Sequence, residues 1–186
     1  MKILKLIVIV ISFFTYTQSF QNSYANIKNI SDTTQVNQLN SQAFRSRLID
    51  PDITISKANK ALKIAVKINY TNGIAESYRV IGVGNSYKNS IDIAIENYLN
   101  ALSYFKKNKN LEGEAKVYNN IGNLYRDIDY TKSLENFEKS LKIATKLNIK
   151  DLIAGLKLNI GTAYQQRKNY SKSSESGCAL FESKRL

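Results

Sequence analysis

Leu111–Asn148 reads LEGEAKVYNNIGNLYRDIDYTKSLENFEKSLKIATKLN, and this stretch decides the fold. At helical spacing Tyr118, Ile121, Gly122 and Tyr125 share one stripe. After a break at Asp129, Tyr130, Ser133, Phe137 and Ser140 share a second. Residues three and four apart lie on one face of an α-helix, so each half is an amphipathic helix. Gly122 has no side chain, and Ser133 and Ser140 have little, so two backbones approach closely there. Phe137 fills the volume they leave. The product is an antiparallel helical hairpin that cannot bury its outer face alone.

Copies of this hairpin flank it. Upstream, Tyr78, Ile81 and Gly82 precede Ala94, Tyr98 and Ala101; downstream, Ile160, Gly161 and Tyr164 precede Tyr170 and Ser173. Gly82, Gly122 and Gly161 are spaced by 40 and 39 residues. LKIAVKIN (Leu62 to Asn69) returns as LKIATKLN (Leu141 to Asn148), 79 residues on, which is two periods. A first unit therefore starts near Val36, with Ala43 in the glycine slot and Ala58 and Ala61 in the second-helix slots. Helix breakers are scarce: Pro occurs once and Gly eight times in 186 residues.

At these positions the chain resembles the tetratricopeptide repeat family, whose pattern is aromatic, Leu, Gly, Tyr on one helix and Ala, aromatic, Ala on the next. The third unit matches best, with serines for both alanines. The second has Asn85 where the family has Tyr, and the fourth has Gly177 at the aromatic position. The resemblance implies an all-α fold, a right-handed α-α superhelix of about four antiparallel hairpins. The expected organisation is a signal peptide over 1–19, a polar linker over 20–33, and a repeat domain over 34–186. Its units are 36–69, 75–109, 115–148 and a degenerate 154–186.

Capping signals set eight expected helices. Asp32 or Thr33 opens the first, which runs to Ile49. Asp50-Pro51-Asp52 opens the second: a capping carboxylate, then Pro where its missing N–H costs nothing, then an acid at the positive helix end. Thr71-Asn72-Gly73 turns into the third. Asn89 or Ser90, Asn110, Asp129, Asp151 and Asn169 open the rest. Ile81, Ile121, Ile160, Tyr98, Phe137 and Leu141 are the expected core.

The N-terminal segment reads as an export signal. Lys2 and Lys5 precede an apolar run from Leu6 to Phe14, and Thr17-Gln18-Ser19 offers small residues for cleavage. A run of nine residues is too short for a comfortable span of about 20 residues. An uncleaved anchor over residues 4–16 is the alternative. Either reading puts the rest outside the cytoplasm, periplasmic or secreted.

Net charge is +12. Its lysines are scattered over every helix, which describes a solvated face and argues against a nucleic-acid partner. The chain has no His, so His-based dyads and triads are excluded, and with one Cys it offers no zinc set. Cys178 reads as a small apolar filler. Glu112 and Glu114 point to different sides of a helix, and Asp127 and Asp129 straddle a turn. Gly82-Val83-Gly84 lacks a phosphate-loop context. No catalytic constellation, cofactor site or metal site is expected.

Function is expected on the concave face that stacked hairpins line with their first helices. On the third unit this face carries Lys116, Asn119, Asn123 and Arg126; on the second, Arg79, Val83 and Ser86, with Tyr87 beside them; on the fourth, Leu158, Thr162, Gln165 and Gln166. Amides pair with a peptide backbone, and cations meet a carboxylate. The resemblance implies a protein or peptide ligand. Asn123 fits a carboxylate-clamp slot of the family, whereas Val83 in the matching slot does not. The long repeats behind an export signal also resemble the sensor regions of bacterial two-component proteins. The last segment, from Ser171, has a weak apolar stripe: it packs imperfectly, or another chain covers it, or the sequence is the front of something longer.

Overall fold

The computed structural model describes the backbone over residues 2–182 and side chains over 14–167, apart from 24, 26, 27 and 29. Seven helices follow one another with no strand among the described residues: α1 (Lys2–Ser46), α2 (Pro51–Lys67), α3 (Thr71–Tyr87), α4 (Ile91–Lys107), α5 (Leu111–Tyr125), α6 (Tyr130–Lys146) and α7 (Lys150–Glu182). Each helix packs on the next, as in an α-α superhelix. α1/α2, α3/α4 and α5/α6 are hairpins, and α1–α3 and α3–α5 also touch. No helix among the described residues is long and apolar enough to cross a membrane.

Two kinds of turn join the helices. Four turns place a residue in the left-handed region after the helix: Asn69 at φ 54, Asn89 at φ 59, Lys109 at φ 55 and Asn148 at φ 54. In each, the next backbone N–H reaches back five residues, as Tyr70 N to Ala65 O at 2.8 Å and Ile149 N to Ala144 O at 3.0 Å. That geometry satisfies carbonyls orphaned at a helix end, and Asn tolerates it better than most residues. The other two turns end in an aspartate. Asp50 Oδ1 accepts from the Asp52 and Ile53 N–H groups, and Asp129 Oδ1 from the Lys132 N–H. The Lys132 N–H, with the Lys132 ammonium beside it, holds the Asp129 carboxyl below its ordinary value.

The helix crossings match in size. A Cβ on Gly82 would lie 2.7 Å from the Tyr98 ring, and one on Gly122 would lie 2.5 Å from the Phe137 ring. At the first crossing Ala43 and the second-helix Ala58 are both fully buried, in one apolar cluster with Val80 and Ile81. Ser133 and Ser140, also fully buried, donate across the α5/α6 crossing to Gly122 O at 2.8 Å and Ala115 O at 2.7 Å. The largest apolar cluster joins α3, α4 and α5 around Tyr98, Phe105, Val117 and Leu124.

Several expectations are corrected. The first helix does not begin at a cap: α1 runs through the expected linker and through Asp32 and Thr33, whose Oγ1 donates to Ile30 O at 2.9 Å. Phe14, Tyr16, Phe20 and Ile30 on that front half are exposed, and close packing begins at Val36. Gly73 lies in the first turn of α3, facing Tyr70 and Val36, and Asn89 supplies a left-handed turn while Ser90 makes no side-chain cap. The fourth unit is not a hairpin. α7 passes through Asn169 without a turn, so the expected eighth helix is absent over the described residues. The aromatic that would reward a return is missing, because Gly177 stands in its slot. A Cβ on Gly161 accordingly meets nothing within 4 Å among the described residues. Ile81, Ile121, Tyr98 and Phe137 are buried, whereas Ile160 and Leu141 are half-buried beside Phe137, where no further helix closes over them among the described residues. The side chains of Tyr170, Ser173, Gly177 and Cys178 lie outside the described residues.

Candidate functional site

α1, α3 and α5 occupy equivalent places in successive hairpins, so their equivalent rows converge on one face. Asn37, Ser41 and Phe44 of α1, Glu76, Arg79 and Val83 of α3, and Lys116, Asn119 and Asn123 of α5 follow each other at helical steps of three and four. They border two adjoining hollows of about 450 and 480 Å³ that share Phe44, Asn119 and Asn120. The first is edged by Glu76, Arg79 and Lys116. The second is edged by Arg47, Tyr87, Asn123, Arg126 and Asp127, with Val83, Leu124 and Tyr98 at its base. Burial pushes the Tyr98 phenol upward, so it stays protonated there.

The charges differ in their freedom. Arg79 is buried and holds Glu76 with two bonds, Nε to Oε2 at 2.8 Å and Nη2 to Oε1 at 2.6 Å. Burial raises the Glu76 carboxyl; Arg79, with help from Lys116, more than offsets this and leaves it below its ordinary value. Burial likewise lowers the Arg79 guanidinium, and Glu76 more than restores it. Arg79 also lies 4.9 Å from the centre of the Phe44 ring, with Arg47 at 4.0 Å. Phe44 thus carries two guanidinium groups, each stabilised by the negative ring face. Lys116 pairs with Glu112 at 2.6 Å on a wetter rim.

Two donors in the groove are unpaired. Asn120 Nδ2 and Arg126 Nε are buried and have no hydrogen-bond partner among the described residues. The nearest carboxylate oxygen recorded for Arg126 Nε is on Asp127, at 3.9 Å, beyond hydrogen-bond reach. A buried donor without an acceptor costs about 1–3 kcal/mol, so an incoming acceptor recovers energy the fold has forgone.

Of the residues singled out in the sequence, the structure brings together Arg79, Tyr87, Lys116, Asn119, Asn123 and Arg126 around the two hollows. It does not bring Thr162, Gln165 or Gln166 there. Thr162 donates to Leu158 O at 2.9 Å, Gln165 is exposed, and Gln166 reaches Asp127 at 3.4 Å from outside. The bridge from α7 to α5 is made instead by Asn159, whose Nδ2 donates to Asn119 Oδ1 at 3.0 Å. Phe44, Glu76 and Asn120 went unnoticed in the sequence. The period contains a signal for two of them: Phe44, Val83 and Asn123 are spaced by 39 and 40, and so are Asn37, Glu76 and Lys116.

Fold and groove together define a helical-repeat protein with a polar concave face. No family model matches the chain. Over 54 residues, 29% of its length, it is 44% identical to Response regulator aspartate phosphatase I of Bacillus subtilis (strain 168), and that stretch is 14% of the relative.

Proposed function

We propose that this is a non-enzymatic tetratricopeptide-type module that binds an extended peptide or protein segment across α1, α3 and α5. The observation that carries the reading is the pair of unpaired buried donors, Asn120 Nδ2 and Arg126 Nε, beside Asn123. Carbonyl and carboxylate oxygens of a peptide are the acceptors such donors suit. The groove's other buried charges already neutralise each other, which favours binding over acid-base work: Glu76 is held ionised and has no proton to give. Arg79 serves here as a pillar under Phe44, and contact falls to Asn119, Asn120, Asn123, Arg126 and Tyr87.

The test is titration of the full chain against an array of short peptides, with and without acidic residues. Asn123→Ala and Arg126→Gln should weaken the strongest acidic binder at least tenfold while helix content and Tm stay unchanged. Native affinity in both variants sinks the reading.

A second reading is an input segment of a signal-transduction system, in which groove occupancy alters a partner. The name of the relative, a phosphatase of response regulators, favours it. Export of the chain by residues 1–19 belongs to the same proposal. Amino-terminal sequencing of material from the periplasm or medium should begin near Phe20. A chain found only in the cytoplasm with Met1 or Lys2 at its start refutes export.

A further inference from the structure

Within the hairpins, one face of each first helix is covered by the second. On α5 the covered atoms are Ala115, whose carbonyl takes the Ser140 hydroxyl, and Gly122, whose carbonyl takes that of Ser133 while Phe137 lies across its Cα. On α3 the equivalents are Ala75 and Gly82, both buried, with Ala94, Tyr98 and Ala101 on α4. Both second helices carry one pattern: a small residue, an aromatic four on, and a small residue three further.

α7 repeats the receiving face without the cover. Leu156 and Ala163 are buried, in the slots that Val117 and Leu124 hold on α5, so α7 is seated against the preceding unit in the same register. Ala154 and Gly161, in the slots of Ala115 and Gly122, are exposed; Tyr164, in the slot of Tyr125, is 54% exposed. Among the described residues, nothing lies within 4 Å of a Cβ built on Gly161. This face is complete and in register, and the rest of the chain shows what fits it.

We infer that the Ala154–Gly161–Tyr164 face of α7 is a docking surface for one helix of a partner protein, bearing an aromatic residue between two small ones. The aromatic seats on Gly161, and the flanking small residues, if serine, bond the carbonyls of Ala154 and Gly161. The chain cannot supply this helix from its described parts. Tyr98 and Phe137 are buried in their own hairpins, and the stretch after Asn169 has Gly177 where the aromatic belongs. Ser12, Tyr16 and Ser19 repeat the spacing, but they fall in the segment read as an export signal.

The probe is a synthetic peptide of residues 129–148, which carries Ser133, Phe137 and Ser140, titrated into the full chain. Saturable binding is expected, at least tenfold weaker for the Phe137→Ala peptide and at least tenfold weaker for the Gly161→Leu protein. Gly155→Leu, where the space is also open but on another side of α7, should bind as the parent does. Absence of binding overturns the inference. So does equal binding to the Gly161→Leu protein, which would mean the peptide displaces α6 or sits elsewhere. Self-association of the chain that disappears in Gly161→Leu also overturns it, because the occupant is then a second copy. The groove variants Asn123→Ala and Arg126→Gln should leave peptide binding intact, so failure here and failure of the groove reading are separable.

Discussion

Glycine has opposite meanings at two equivalent positions. At Gly122 a methyl group would lie 2.5 Å from the Phe137 ring, so Gly122→Ala forces the helices apart; overpacking of this kind costs about 1–3 kcal/mol. At Gly161 the same methyl meets nothing within 4 Å among the described residues. Gly161→Ala should stabilise α7 by about 0.5–1 kcal/mol, the propensity gain of Ala over Gly in a helix. Urea unfolding of the two variants should therefore move in opposite directions. Phe137→Ala should cost about 3–5 kcal/mol, because the ring is fully buried. Glu76 gives a pH signature. Its carboxyl titrates below the ordinary glutamate value in the folded chain, so the stability it adds is present above that ordinary value and is lost as pH falls through the lower, folded one. Glu76→Gln should flatten the acid limb of a Tm-versus-pH curve.

The turns set the helix lengths. Where a side chain caps a helix, removing it has a cost: Asp50→Ala and Asp129→Ala should each lose about 0.5–2 kcal/mol in thermal unfolding. Ser90→Ala should lose little, since Ser90 makes no side-chain cap. Lys109 holds a left-handed conformation at φ 55 that Asn takes at the other three sites; the strain is about 1–2 kcal/mol, and Lys109→Gly should recover much of it. These boundaries were legible from Asp50-Pro51, Asn110 and Asp129, because a cap is a local bond between neighbours in sequence. The fate of Asn169 was not. Whether a chain turns there depends on what the returning helix would gain, and with Gly177 in place of an aromatic it gains too little.

At the scale of the molecule, repetition made the fold legible, since Gly82 and Gly122 announced two crossings at one period. The groove was half legible: the helical steps named Asn119, Asn123 and Arg126. They could not tell that Arg79 would be consumed by Glu76, a neighbour three residues away, or that Asn159 and not Thr162 would reach across from α7. Stability should also be graded along the stack. Hydrogen exchange should be slowest in α3, α4 and α5, which share the largest apolar cluster, and faster in α7, which packs chiefly on α6.

The fully buried slot that faces the preceding unit is Ser77 on α3, Val117 on α5 and Leu156 on α7, and only Ser77 has a polar neighbour to satisfy, taking the Nδ2 proton of Asn40 at 3.0 Å. The near-identical stretches at Leu62 and Leu141 mean that a deletion of 79 residues between them would join α2 to α7 and keep the turn between them. In that shortened product Leu156 would slide over Asn40 and strand its amide in a dry site. One buried amide would thus make costly a deletion that leaves the turns intact.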